Sequence, residues 1–139
     1  MLTVGFIGNG KSANRYHLPF VLQRKDKIKV KTIVTRNLEN KTWKRIDGIN
    51  YTDKIEELYN DPEIDLVVIC LKPDLHYRYA REVLEHNKNC LVEKPFTETL
   101  EEAQELFELA KKKRLIVQPY HNRRFDSDFL TTMKVIESG

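Results

Sequence analysis

Residues 2–13 read Leu2-Thr3-Val4-Gly5-Phe6-Ile7-Gly8-Asn9-Gly10-Lys11-Ser12-Ala13, and this stretch decides the fold. Leu2–Ile7 is largely apolar, which predicts a buried strand. Gly-x-Gly-x-x-Ala follows at once and opens a helix. Gly8 permits a tight strand-to-helix turn, and Gly10 leaves the backbone open to close approach. Ala13 is small enough for the helix to pack on a sheet. Free N–H groups and the dipole at a helix start favour an anion, and a pyrophosphate is the anion this turn suits. Asn9 lies between the glycines, Ser12 adds a hydroxyl donor and Lys11 adds charge. A glycine turn in an ordinary α/β protein leaves a similar string; the position directly after the first strand argues for the phosphate loop. Pro19 falls inside the helix and predicts a kink or interruption.

Beyond the loop, apolar runs of strand length alternate with amphipathic segments of helical period. Ile28–Val34, Ile49–Tyr51, Ile64–Leu71, Cys90–Val92 and Leu115–Gln118 read as further strands. The run Ile64–Leu71 is apolar on both faces, as a central parallel strand requires. Thr99 and Glu102 form a capping box, with Leu100, Ala103, Phe107 and Ala110 as the helix stripe behind it. Asp74 is a candidate cap for another helix, with Ala80, Val83, Leu84 and Asn87 as its buried stripe. A short helix starts at Thr52 or Asp53 and runs through Tyr59, closed by Asp61-Pro62. Strands alternating with helices imply parallel pairing with right-handed crossovers. The fold class expected is α/β: a doubly wound parallel sheet, the Rossmann fold, in three α/β/α layers.

Composition is consistent with that. The 139 residues are enough for one domain and too few for two. Hydrophobic residues make up 40% and charged residues 32%, the balance of a soluble globular chain. No apolar run is long enough to span a membrane, and the first residues lack a secretory signal. Cys70 and Cys90 lie inside apolar runs and read as buried free thiols, so a cytoplasmic location is expected. Lysines cluster at Lys25, Lys27, Lys29 and Lys31 and again at Lys111–Lys113. No aromatic residues interleave with them, so a helix end is expected at the second cluster and no nucleic-acid partner is expected. His17 and His86 are scattered, and no metal site is expected.

Ligands of open parallel sheets lie beyond the carboxyl ends of the strands. The second strand ends Val34-Thr35-Arg36-Asn37 with no carboxylate at its tip. An acid there would bind the ribose hydroxyls of NAD; Arg36 instead offers a fork, and Thr35 a hydroxyl, to the 2′-phosphate of NADP. NADP is therefore preferred, although an arginine can also stack on the adenine of NAD. Leu71-Lys72-Pro73, Glu93-Lys94-Pro95 and Tyr120–Arg124 occupy the ends of three other strands.

In this order and spacing, the loop Gly8–His17, the run Val92-Glu93-Lys94-Pro95-Phe96 leading into Leu100–Ala103, and Asn122-Arg123-Arg124-Phe125-Asp126 resemble the Gfo/Idh/MocA oxidoreductases, the glucose-fructose oxidoreductase and inositol dehydrogenase type. The resemblance covers the whole chain. It implies that Lys94 reaches the nicotinamide ribose and the reacting oxygen of a substrate, and that the bond before Pro95 is cis. It implies cofactor contacts from Glu93, Leu71, Lys72, Asn122 and Arg123. His76 matches a family histidine that is either on the cofactor side or satisfied locally. Many relatives carry Thr-Pro-Asn where this chain has Leu71-Lys72-Pro73, so the contacts of that loop differ.

The organisation expected is a nucleotide-binding domain over residues 1–120, with residues 121–139 as a linker and helix leading into an absent C-terminal α/β domain. In the family that second domain supplies substrate contacts and the oligomer interface, so a homo-oligomeric parent is implied. The parent would carry hydride between nicotinamide and a sugar, polyol or similar small molecule, and the fragment would bind cofactor with little or no turnover. The alternative is a dinucleotide-binding sensor or regulatory protein without chemistry.

Overall fold

The alternating strands assemble into one parallel sheet covered on both faces, in a computed structural model that describes residues 1–39 and 41–139. The strands are β1 (Leu2–Ile7), β2 (Ile28–Val34), β3 (Asn50–Thr52), β4 (Leu66–Ile69), β5 (Asn89–Val92) and β6 (Val117–Pro119). Their spatial order is β3-β2-β1-β4-β5-β6, every neighbouring pair parallel. This is the order of a doubly wound sheet, the fold class expected, and it places the reversal of winding between β1 and β4.

Period-two alternation divides the core between the faces. In β4, Val67 and Ile69 join one apolar cluster while Val68 joins the other. The first cluster is closed by α2 (Glu56–Tyr59), α3 (His76–Glu85) and α4 (Leu100–Lys113) through Leu58, Val83, Leu84 and Leu106. The second is closed by the helical run after β1 through Ala13 and Leu18, against Phe6 and Ile33. The pairing of β1 with β2 slips by one residue, Val4 facing Val30 and Gly5 facing Thr32. Lys31 is the extra residue, so Val30 and Ile33 reach the same face despite their odd spacing. The displaced Lys31 ammonium pairs with Asp61 at 2.6 Å and Glu63 at 3.0 Å.

Several element boundaries differ from the sequence expectation. The third strand lies one residue later than Ile49–Tyr51, and the fourth stops at Ile69, leaving Cys70 and Leu71 to turn away. Sheet pairing sets both ends: β3 pairs only where β2 runs beside it, and β4 only along β1 and β5. Asp74 does not cap α3; it lies in a 3-10 turn, Pro73–Leu75, that leads into the helix. Asn87 is not on the buried stripe of α3. It sits beyond the helix at φ 59, the left-handed conformation that asparagine tolerates. Thr52 ends β3, its hydroxyl accepting from the Lys54 N–H at 3.0 Å, and the short helix ends at Tyr59 as expected but starts only at Glu56.

The capping box of α4 forms as expected, the Thr99 hydroxyl accepting from the Glu102 N–H at 3.2 Å. Its buried stripe is partly the expected one: Ala110 is buried, but Leu106 is buried as well, whereas Leu100 and Phe107 are exposed. Lys111–Lys113 end this helix, as expected for the second lysine cluster. Cys70 and Cys90 are buried free thiols, each pushed up to about 12 by burial. The last helix, α5 (Ser127–Ser138), buries none of its residues. Among the described residues no helix is long and apolar enough to cross a membrane.

Candidate functional site

Five of the loops that leave strand tips are tied by their first N–H to a neighbouring strand, which sets these loops in one row. The Gly8 N–H donates to Val34 O at 2.9 Å, Cys70 N–H to Ile7 O at 2.8 Å, Glu93 N–H to Ile69 O at 3.1 Å and Tyr120 N–H to Val92 O at 2.8 Å. Thr35 is held the same way, its N–H donating to Thr52 O at 2.8 Å. The loops carrying Gly8–Ala13, Thr35-Arg36, Leu71-Lys72, Glu93-Lys94 and Asn122-Arg123 therefore share the carboxyl edge of the sheet.

The glycine loop has the local geometry that a pyrophosphate needs. Gly8 stands at φ 107, and a Cβ there would lie 2.2 Å from the Cys70 carbonyl oxygen, so only glycine fits. A Cβ on Gly10 would meet nothing within 4 Å; the space in front of its backbone is open. Helical backbone begins at Lys11 and continues to Arg24, presenting its first N–H groups to that space. The run contains a π-helical turn, Ala13–His17, followed by α1 (Leu18–Val21) and a 3-10 turn, Leu22–Arg24. Pro19 thus interrupts helical regularity as expected: it sits in the first turn of α1, directly after the π turn. Ala13 is fully buried against the sheet. Asn14 braces the loop by donating to Asn9 Oδ1 at 2.8 Å and Gly10 O at 2.9 Å. Lys11 is exposed at the loop mouth.

Not every candidate side chain is directed outward. The Ser12 hydroxyl, expected to face the phosphate, donates to Glu93 Oε1 instead. His17, read as scattered, is buried and meets the same Oε1 through Nε2 at 2.9 Å. Tyr120 covers the His17 ring at a centroid distance of 4.4 Å. The Lys94 N–H donates to Glu93 Oε2 at 3.1 Å. Burial by itself would raise the Glu93 carboxyl; the hydrogen bonds from His17, Ser12 and the Lys94 N–H outweigh it and hold the group at about 2. Of the two readings of His76, the locally satisfied ring is the one found. It is buried, with Nδ1 2.7 Å from Pro95 O and Nε2 3.2 Å from Leu71 O. The ring thereby joins the loop after β4 to the turn after β5. The Lys94–Pro95 bond is cis, as the resemblance implies.

The exposed side chains of the row are Lys11, Arg36, Lys72, Lys94, Asn122 and Arg123, and Thr35 is half-buried. Lys94, Tyr120, His121, Asn122, Arg123 and Phe129 line an open cleft of about 660 Å³. Arg123 is partly neutralised there, pairing with Asp126 at 2.9 Å. Arg36 makes no ion pair among the described residues, which leaves its fork available beyond β2. No group of three His, Cys, Asp or Glu side chains converges among the described residues.

The 3-2-1-4-5-6 sheet, the glycine turn at its winding reversal and the open backbone at Gly10 define a dinucleotide-binding Rossmann domain. The family model for the Gfo/Idh/MocA proteins, described as an oxidoreductase family with an NAD-binding Rossmann fold, matches residues 2–121, and the chain belongs to that family. It is 52% identical to the uncharacterized oxidoreductase YhhX of Escherichia coli over 100% of this chain and 41% of that protein. It is 34% identical to the scyllo-inositol 2-dehydrogenase (NADP(+)) IolW of Bacillus subtilis, over 99% of this chain and 38% of that one. The solved structure of yhhX superposes with a TM-score of 0.94, covering all of this chain and 41% of the other. The chain thus spans about two fifths of the length of these relatives.

His17 and Asn14 are the functional-edge residues that sequence reasoning missed. The signal for His17 was its place four residues after Ala13, on the same buried face of the helix.

Proposed function

We propose that the chain is the cofactor domain of an NADP-dependent oxidoreductase acting on a sugar, polyol or similar small alcohol or carbonyl compound. The observation that carries this reading is the carboxyl edge of the sheet, shared by the open Gly10 backbone, the Arg36 fork, unpaired among the described residues, and the exposed Lys94. A bound nicotinamide dinucleotide supplies the hydride acceptor or donor. The residues supply the rest. The N–H groups from Lys11 onward bind the pyrophosphate, and Arg36 with Thr35 recognises the adenosine end through a 2′-phosphate. Lys94 lies in the cleft with its ammonium unpaired among the described residues, able to hold a developing alkoxide and to exchange a proton with it. Tyr120 and Phe129 give the same cleft an apolar lining suited to the ring face of a polyol or sugar.

The enzyme reading is favoured over a cofactor-holding sensor by Lys94, which lines a cleft roomy enough to take a substrate beside the nicotinamide ribose. In this account Asn122 and Arg123 border the nicotinamide side, α5 leads into a second domain, and oligomerisation belongs to that domain. Residues 1–120 form the cofactor unit, and the chain by itself binds cofactor with little or no turnover. The unpaired buried thiols support a cytoplasmic setting.

Calorimetric titration of NADPH and NADH into wild type and Arg36→Ala tests the cofactor choice. Tighter binding of NADPH, lost by about tenfold in Arg36→Ala, is expected. NADH binding as tightly as NADPH would overturn the role of Arg36, and binding of neither would overturn the oxidoreductase reading.

A further inference from the structure

We propose that Glu93 is a positioning residue, through which His17 and Ser12 join the pyrophosphate loop to the turn that carries Lys94. The inference rests on the dinucleotide reading above and goes beyond it, because it assigns work to a buried carboxylate that is already bonded within the protein.

Glu93 is 7% exposed, and both of its oxygens are occupied. Oε1 accepts from the Ser12 hydroxyl and from His17 Nε2 at 2.9 Å, and Oε2 accepts from the Lys94 N–H at 3.1 Å. Three of the carboxylate's roughly four acceptor sites are filled and the side chain is buried, so contact with a ribose hydroxyl is the poorer use of it. The three donors come from the first turn of the helix after β1, from its π-helical turn and from the loop after β5. They lie 81 and 76 residues from Glu93 in the two long-range cases, so folding alone brings them together.

The π turn is a second, independent sign. Its wider spiral puts Ala13, His17 and Leu18 on one buried face, and π turns in helices recur at functional sites. A buried, ionised carboxylate is kept only where its hydrogen bonds are made, which fixes the geometry of all three segments. Tyr120 completes the connection: it packs on the His17 ring and also lines the cleft beside Lys94. Two placements then depend on each other. The loop that takes the pyrophosphate and the lysine that faces the substrate share one brace, so loosening it at His17 disturbs both.

The test uses the intact protein and three His17 variants, alone and combined with Lys94→Met. Affinities for ADP-ribose and NADPH are measured by titration. His17→Ala is expected to weaken ADP-ribose by about tenfold. His17→Gln, whose amide can still donate to Glu93, is expected to recover most of that loss, while the similarly sized His17→Leu is not. The loss of NADPH affinity caused by Lys94→Met should shrink severalfold in the His17→Ala background, because the lysine is already misplaced. Equal ADP-ribose binding by wild type and His17→Ala, equal recovery by Gln and Leu, or additive losses would each overturn the brace. Should His17→Ala fail to fold, Glu93→Gln carries the same expectations at nearly unchanged volume. A wild type that binds neither ligand overturns the dinucleotide reading, an outcome distinct from wild-type binding with unaffected variants.

Discussion

At the residue scale the two loop glycines separate folding from binding. Gly8 is required by the fold, since its backbone stands at φ 107 and a Cβ would strike the Cys70 carbonyl. Gly8→Ala should therefore lower stability by about 1–3 kcal/mol, read from urea unfolding. Glu93 gives a second prediction. Its folded carboxyl lies at about 2 against an ordinary 4.5, so its hydrogen bonds stabilise the fold fully above the ordinary carboxylate range. That contribution is lost as pH falls from about 4.5 toward about 2. The stability difference between wild type and Glu93→Gln should be largest at about pH 6 and should close toward acid, when unfolding is measured across a pH series. A constant difference would show that the carboxylate charge contributes nothing. The places of both glycines and of Lys94 at strand ends were legible in the sequence because they follow from the order of strands and loops. The directions of Ser12, His17 and His76 were not, because each meets a partner whose approach depends on tertiary packing.

At the element scale, local rules held where the determinant was local. The α4 capping box needs only residues three apart, and it forms; Thr99→Ala should cost about 1 kcal/mol by urea unfolding. The α4 stripe held only at Ala110, because periodicity alone does not say which of two adjacent apolar strips meets the sheet. Leu100 and Phe107 lie on the outer strip, whereas Leu106 is fully buried beside Leu84 and Val92 in the same core. Leu106→Ala should cost about 2–5 kcal/mol. Phe107→Ala, which opens no core cavity, should cost well under half of that on the same urea curves. Comparable losses would restore the original stripe. Strand ends were misjudged for a related reason: Ile64, Cys70 and Leu115 are apolar because they are packed, but they lie beyond the pairing that defines β4 and β6.

At the scale of the whole molecule, the sheet order followed from strand–helix alternation and the handedness of crossovers, with no contact between specific side chains needed. That order alone gathers the loops of residues 8–13, 35–36, 71–72, 93–94 and 122–123 at one edge, so most of the candidate site was legible as soon as the fold was. The bulge at Lys31 was not legible, because the slip of register is set by how β1 and β2 meet. What a cofactor would touch is now a matter of open space rather than of sequence, and Gly10 marks that space.

The most direct test is therefore Gly10→Ala, followed by urea unfolding and by NADPH titration. An added Cβ meets no atom of the protein, so stability should stay within about 1 kcal/mol of wild type. The same methyl would intrude where the pyrophosphate must approach the backbone, so NADPH affinity should fall by about tenfold or more. A folded Gly10→Ala protein that binds NADPH as wild type does would contradict the account.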